Sequence, residues 1–445
     1  MIRRLFIANR GEIALRIIRT ARRLGITTVL GCSEADADSV PARFADEVVR
    51  VGPAASSQSY LSIGRVIAAA RGAGVCAIHP GYGFLSEKAE FAQAVVAAGI
   101  LFVGPDVSSL RAMGDKLKAR AVAVEAGLPV VPGGAGATRE EVRARARDTG
   151  YPLLLKAVAG GGGRGMKRVD APEQLDAQID LAMAEALAAF GDPRIYVERY
   201  IAQGRHVEVQ LLGDGTTTLH LGTSDCSIQR RFQKLVEEAP APGIPPVRRE
   251  AIHAAAVSLG RKLSYRGAGT VEFLVDAQTF DFYFLEMNAR IQVEHPVTEA
   301  VTGIDLIEQQ LLVADGQRLG ISQEQIHIDG HAIEVRINAE DWRADFRPSP
   351  GKITRALWPV GAGIRVDTHA DSGASVPPFY DSLLGKLIVS GVDRATAILR
   401  LQRALQCLEI DGVKSTVDLH RAIAADPRFV CADVTTRFFE GLAHG

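Results

Sequence analysis

The sequence predicts an α/β protein that runs on into a strand-rich α+β region. Three observations carry that reading. Over residues 1–113, short apolar runs alternate with amphipathic helical stretches, and the joins fall at Gly and Pro. That pattern belongs to a parallel sheet covered by helices. A composition break at 129–136 (PVVPGGAG) reads as a linker into a small unit ending near 203. From Gly204 onward, polar and apolar residues alternate with the period of two expected for strands.

Taken in order, 5–8 reads as a strand, 12–24 as a helix and 27–30 as a second strand. A helix over 62–70, a strand end at 77–78, a helix over 89–98 and a strand at 101–103 complete the first unit. The HPGYGF stretch at 79–84 follows a strand's C-terminal end, where open α/β sheets place their ligands. The second unit reads as helix 140–148, strand 153–158, a glycine run, helix 172–190 and strand 195–198. Alternation over 206–212, 270–275 and 282–288 marks the strands of the third, and a final α+β segment begins at His331. The predicted division is therefore 1–113, 114–203, 204–330 and 331–445.

Composition closes off several function classes. With 51 Lys+Arg against 52 Asp+Glu, the net charge of −1 offers no basic footprint for nucleic acid. No stretch approaches the roughly 18 uninterrupted apolar residues of a membrane span, and the start lacks a signal-type apolar region. The five cysteines are odd in number and scattered without a C-x-x-C pair. They read as the reduced thiols of a cytoplasmic protein, not as a zinc site or disulfide frame.

The loudest local signal is Lys156-Ala-Val-Ala-Gly160-Gly161-Gly162-Gly163-Arg164-Gly165. Consecutive glycines let a backbone approach an anion and aim its N–H groups at phosphate oxygens. The run lacks the G-K-[ST] ending of a Walker A loop, and alone it reads equally well as a hairpin tip. Lys156 shifts that balance, because a lysine ending the apolar strand at 153–155 calls for an anionic partner. Lys116, after Met113-Gly114-Asp115, is a second candidate phosphate lysine.

The stretch 286–295 (EMNARIQVEH) places polar residues at every even position from 286 to 294 and apolar ones between. Period two puts Glu286 and Asn288 on one strand face. The pattern alone leaves open how far extended geometry persists toward Glu294. Buried Glu, Asn, Arg and Gln in one row would be costly without a ligand or metal to complete them. Glu272 lies on 270–275, joined to the Glu286 strand by a short turn near 276–279, so a hairpin would set the two carboxylates together. Adjacent carboxylates need a proton or a cation between them. Beside a phosphate loop the hard oxygen donors suit Mg²⁺. His206, Glu208 and Gln210 share a face, and so do Glu334, Arg336 and Asn338. The 225–238 segment mixes both charge signs densely, as a solvated face or an anion site would.

These residues resemble biotin carboxylases of the ATP-grasp superfamily over nearly the whole chain. The resemblance is carried by IANRGE (7–12), IHPGYGFLSE (78–87), GDK (114–116), GGGGRGM (160–166), RHVE (205–208), 225–234, EMNARIQVEHPVTE (286–299) and EVRINAED (334–341). It implies an ATP-grasp architecture: an N-terminal parallel α/β domain, a small lid and a C-terminal α+β domain. Lys116, Lys156, Gly162 and Gly163 correspond to nucleotide-phosphate contacts, and Glu198 through Ile201 to the adenine segment. His206 and Gln229 correspond to further nucleotide contacts. Glu272, Glu286 and Asn288 correspond to ligands of Mg²⁺ (or Mn²⁺). Lys234, Arg290, Gln292 and Val293 correspond to the bicarbonate site, with Glu294 as its base. Arg336 and Tyr82 correspond to biotin contacts. The sequence departs at Phe232, where the family often has His. Phenylalanine cannot donate to a phosphate, so a changed ATP affinity is expected there.

The resemblance implies ATP- and bicarbonate-dependent carboxylation of biotin, as the first half-reaction of an acyl-CoA carboxylase of acetyl or propionyl type. The alternatives are a component of a 2-oxo acid carboxylase, another ATP-grasp carboxylate ligase, or a silent nucleotide-binding subunit. Met166-Lys167 is the only Met-Lys pair and lies in the glycine loop, so biotin is expected on a separate carrier. The implied partners are a second copy in a homodimer, a biotin carboxyl carrier protein and a carboxyltransferase subunit.

Overall fold

The computed structural model describes residues 1–159, 166–231 and 233–442. Gly162, Gly163 and Phe232, singled out above, lie outside the described residues. Leu5, Phe6 and Ile7 are fully buried in strand β1 (Arg4–Ile7), the centre of a parallel sheet. With β2 (Thr27–Ser33), β3 (Glu47–Gly52), β4 (Ala77–His79) and β5 (Leu101–Phe102), its order is β3-β2-β1-β4-β5. The winding direction reverses between β1 and β4, so the loops after those two strands meet at one edge. Helix α1 (Gly11–Arg23) opens directly after β1, and its face of Ile13, Ala14, Ile17, Ile18 and Ala21 is buried. This is the predicted parallel layer. Strand β3, which the sequence pattern did not single out, has a largely exposed face.

The second unit is a four-stranded sheet, β6 (Gly133–Gly136), β7 (Leu153–Ala157), β8 (Lys167–Val169) and β9 (Ile195–Arg199), in the order β6-β9-β7-β8. The helices Arg139–Thr149 and Leu175–Phe190 contribute to its own core of Val142, Leu153, Leu155, Ile179 and Val197. The expectation of a linker over 129–136 is corrected in part. Its Gly-rich half pairs with β9, because glycine at the sheet edge lets Gly133 sit where a Cβ would meet the Val197 carbonyl at 2.1 Å.

The largest element is an eight-stranded antiparallel sheet. It comprises β10 (Gly204–Asp214), β11 (Thr218–Arg230), β12 (Gln233–Ala239), β13 (Arg266–Asp276), β14 (Phe282–Asn288) and β15 (His331–Asn338), extended by Leu383–Gly391 and Ile364–Thr368. Its order begins β14-β13-β10-β11-β12-β15. Because β12 pairs with β15, one sheet runs uninterrupted across the predicted 330/331 boundary. The mixed-charge segment over 225–238 is the hairpin of β11 and β12. Among the described residues no helix is long and apolar enough to cross a membrane.

Candidate active site

The site is built on one face of the long sheet. In β10, Glu208 stands directly opposite Glu272 of β13, and Glu272 stands opposite Glu286 of β14. The register slips between Glu272 and Phe273, leaving Leu285 as the extra residue of a bulge. Regular strand geometry ends at Asn288. Residues 290–294 turn back over the sheet, which returns Gln292 and Glu294 to the neighbourhood of Glu272.

Lys234, from β12, is the hub. Its Nζ lies 2.8 Å from Glu294 Oε1 and 3.0 Å from Glu272 Oε1, and it also donates to Glu208. His206 Nε2 lies 3.0 Å from both Glu208 Oε1 and Glu272 Oε2. Gln229 Nε2 is 3.3 Å from His206 Nδ1. Asn288 Nδ2 donates to Glu272 Oε1 at 2.6 Å, and Gln292 Nε2 to the same oxygen at 3.2 Å. Arg290 donates to Asn288 Oδ1 at 2.8 Å and to Gln292 Oε1 at 2.5 Å, and its Nε lies 3.0 Å from Glu87. Arg336 donates to Glu237 at 2.6 Å and to Glu294 Oε2 at 2.9 Å.

Burial and charge pull these groups apart in acidity. Burial alone would raise the Glu294 carboxyl, but Lys234 and Arg336 outweigh it and hold the group well below the usual range. Glu208 has no such surplus: burial, eased by Lys234 but reinforced by Glu294 and Glu272, lifts it to about 7. Burial lifts Glu237 similarly to about 7, with Arg336 opposing and Glu294 adding. Burial disfavours a charged His206, yet Glu272 and Glu208 push it up to about 10. The result is an ionised carboxylate at 294 with both oxygens paired to cations.

The carboxylate pair of Glu272 and Glu286 fits a hard divalent cation. Glu286 is solvent-accessible, but its cleft is crowded enough that desolvation, with the Glu272 charge, raises its carboxyl. Among the described residues it has no hydrogen-bond or ion-pair partner, and Lys116 does most to ease its charge. A divalent cation held by these carboxylates would resolve that repulsion.

Other predicted residues stand further out. Exposed Lys116 opens the helix Lys116–Glu125, whose first turn Asp115 caps through the Leu117 and Lys118 amides. Lys156 pairs with Glu198 at 2.6 Å on the small sheet, apart from the Lys234 cluster. Ile201 lies in the connection from β9 to β10. Tyr82 comes in from the loop after β4. Asn9 Nδ2 fixes that loop by donating to the Pro80 and Tyr82 carbonyls at 2.7 Å each, and Gly81 takes φ +61° beside it. The Tyr82 hydroxyl donates to Glu12, which lies 3.1 Å from Lys386 Nζ, and Lys386 donates to the Val293 carbonyl at 2.8 Å.

Sequence reasoning assigned no role to Glu12, Glu87, Glu237 or Lys386. A signal existed for Lys386, a single lysine inside the apolar run at 383–389, by the same logic that singled out Lys156.

Comparisons with known proteins agree along the whole chain. A family profile described as "Biotin carboxylase, N-terminal domain" matches residues 1–110. One described as "Carbamoyl-phosphate synthase L chain, ATP binding domain" matches 115–322, and "Biotin carboxylase C-terminal domain" matches 334–441. The chain is 49% identical over 440 residues to a biotin carboxylase of Nostoc sp., covering 98% of each chain. It is 46% identical to a pyruvate carboxylase subunit of Methanothermobacter thermautotrophicus, covering 100% of this chain and 91% of that protein. Its fold is similar to the biotin carboxylase domain dimer of Hydrogenobacter thermophilus 2-oxoglutarate carboxylase, solved with MgADP, ADP and bicarbonate. That match has a TM-score of 0.92 and 44% identity, covering 100% of this chain and 98% of that one.

Proposed function

The chain belongs to the biotin carboxylase family of ATP-grasp ligases, and from that premise we propose how its residues divide the work. The single observation that carries the reading is the buried junction of Lys234, Glu294 and Arg336, where one carboxylate is held ionised between two cations.

Lys116 and Lys156 receive the nucleotide phosphates, with Gly162 and Gly163 covering them and the Glu198–Ile201 segment beside the adenine. His206 and Gln229 complete the nucleotide contacts. Glu272, Glu286 and Asn288 would hold Mg²⁺ or Mn²⁺, which supplies charge neutralisation on those phosphates. Bicarbonate takes the position defined by Lys234, Arg290, Gln292 and the Val293 backbone. These cations offset its charge and make its proton easier to remove. Glu294, ionised at neutral pH, accepts that proton as the bicarbonate oxygen attacks the γ-phosphoryl group, the bond to the β-phosphate breaks and ADP leaves. The carboxyphosphate so formed breaks down to CO₂ and phosphate. Phosphate takes the ureido N–H proton of biotin, Arg336 faces the negative oxygen that develops, with Tyr82 alongside, and the freed nitrogen bonds to CO₂ to give carboxybiotin. Closure of the 131–203 unit keeps water from the intermediate.

Carrier domains usually present biotin on the lysine of a Met-Lys-Met sequence, and this chain has none, so the biotin is carried on a separate polypeptide or domain. The partners are a second copy of the chain, a biotin carboxyl carrier protein and a carboxyltransferase subunit. The assembly is cytoplasmic, and its free cysteines suit a reducing compartment. An acyl-CoA and a 2-oxo acid fit equally as the final acceptor, since the relatives include both a biotin carboxylase named alone and a pyruvate carboxylase subunit. The four-part division at 113, 203 and 330 is part of this proposal, with the last two parts sharing a sheet.

Phosphate release from ATP, followed with and without bicarbonate and free biotin, tests the activity. Release that needs both, with labelled bicarbonate trapped on biotin, is the expected outcome. Release indifferent to biotin would assign the chain to another carboxylate ligase.

A further inference from the structure

The peptide units on either side of Val293 are each fastened by a different buried side chain. The Gln292 carbonyl accepts from His295 Nδ1 at 2.7 Å. The Val293 carbonyl accepts from Lys386 Nζ at 2.8 Å. A peptide is planar and trans, so its carbonyl and N–H point in opposite directions. Fixing the Gln292 carbonyl therefore aims the Val293 N–H away from the core, and fixing the Val293 carbonyl sets the plane from which Glu294 departs. Among the described residues, the Val293 N–H donates to no protein group.

Both fasteners are buried, and Lys386 is held from several sides. Lys386 is fully buried and lies 3.1 Å from Glu12, itself bonded by Tyr82. Cross-strand pairing sets Lys386 opposite Arg336 on one side and Asp367 on the other. Glu334, two residues before Arg336 on β15, is buried with neither carboxylate oxygen hydrogen-bonded among the described residues. The lysine thus gathers the loop after β4, the start of α1, the 290–294 turn and the C-terminal strands at one ammonium. His295 is buried too. Its Nε2 has no partner among the described residues, so its one polar task there is the Gln292 carbonyl. Burial, with Lys386, Arg16 and Arg365 near, keeps the ring neutral. A neutral ring bonded to a carbonyl through Nδ1 carries its hydrogen on that nitrogen.

We infer that His295 and Lys386 are positioning residues for bicarbonate, presenting the Val293 N–H and the Glu294 carboxylate at a fixed angle without touching the substrate themselves. This rests on the reading of the chain as a biotin carboxylase. It predicts a split: loosening the turn weakens bicarbonate capture and spares the nucleotide, whose proposed contacts lie on other elements.

The test is steady-state kinetics of biotin carboxylation for His295→Ala, His295→Asn and Lys386→Met, with thermal unfolding of each. Asparagine can place its amide donor where Nδ1 stands. The expected result is a rise of about tenfold or more in the bicarbonate KM for His295→Ala and Lys386→Met, as loss of a positioned hydrogen bond produces. The ATP KM should stay within about twofold, and His295→Asn should return toward wild type. A folded His295→Ala with an unchanged bicarbonate KM overturns the proposal. So does a parallel rise in both KM values, or an asparagine no better than alanine. Should Lys386→Met fail to fold, with Glu12 left without its cation, the His295 pair decides alone. Wild-type chain that carboxylates no biotin at all would bring down the activity itself, a result separable from any of these.

Discussion

Lys156 and Lys234 both leave a β-strand to meet a carboxylate, yet the two regions treat their lysines differently. On the four-stranded sheet, Lys156 has one partner, Glu198 at 2.6 Å, and its side chain is 29% exposed. On the eight-stranded sheet, Lys234 is 12% exposed and held by Glu208, Glu272 and Glu294 together. A half-open single pair costs little to break, which is what the proposed role of Lys156 at a phosphate would need. A buried hub cannot be emptied without stranding several charges, so it must keep its geometry through the reaction. One lysine is held by a single partly exposed partner and the other by three buried ones.

The sharpest way to press this contrast is at Glu294, which among the described residues joins the Lys234 hub to Arg336. Glu294→Gln is expected to cut biotin carboxylation by about 10²–10⁴-fold, the usual cost of losing a positioned base. Nucleotide binding, followed by equilibrium titration, should stay near wild type. Wild-type turnover in that variant would remove Glu294 from the chemistry.

Next in size is the stability difference between the two lysines. Lys234→Met should lower the unfolding free energy by about 3–5 kcal/mol, the cost of breaking a buried ion cluster. Lys156→Met should lower it by no more than about 1 kcal/mol while raising the ATP KM. Urea titrations giving equal losses would erase the distinction.

A pH effect follows from His206. Its ring is raised from an unfolded value near 6.5 to about 10 because Glu272 and Glu208 overcome burial. A raised folded pKa stabilises fully below 6.5, and that contribution is lost as pH rises through about 10. Unfolding free energy should therefore decline across this window, and His206→Gln should flatten the decline. An unchanged slope would place the charge elsewhere.

The smallest expected signal is in hydrogen exchange. Nucleotide should increase protection across 133–199 and leave the buried strands β10 to β12 nearly unchanged. Equal responses in both regions would contradict a closing unit.

Much of this contrast is legible in the residues themselves. Alternation through 270–275 and 282–288 is enough to foresee that Glu272 and Glu286 share a face, and the register pairs them directly. The bulge at Leu285 is invisible because an extra residue within an apolar stretch leaves the composition unchanged. The turn at 290–294 hides for the opposite reason: its residues keep the strand's alternation after the backbone has left extended geometry. Glu237 and Lys386 reach the site through pairing between strands far apart in sequence, which no local pattern encodes. The motifs at 7–12 and 78–87 point to their loops, but the Tyr82–Glu12–Lys386 connection needs the switch point of the parallel sheet to be seen.

The unbroken long sheet also sets an order in time. Arg336 is 99 residues from Glu237 in the chain, and Lys386 is 93 residues from Val293. As the chain leaves the ribosome, strands β10 to β14 can pair while β15 and the strand carrying Lys386 are still unmade. The emerging protein would hold Glu294 through Lys234 alone, before Arg336 and Lys386, which complete the grip on Glu294 and its turn, exist. Glu237 and Glu294 would wait meanwhile with an open sheet edge at β12, a template for wrong strands. The interval before the last quarter is made is therefore when the exposed edge of the long sheet would have most need of a chaperone.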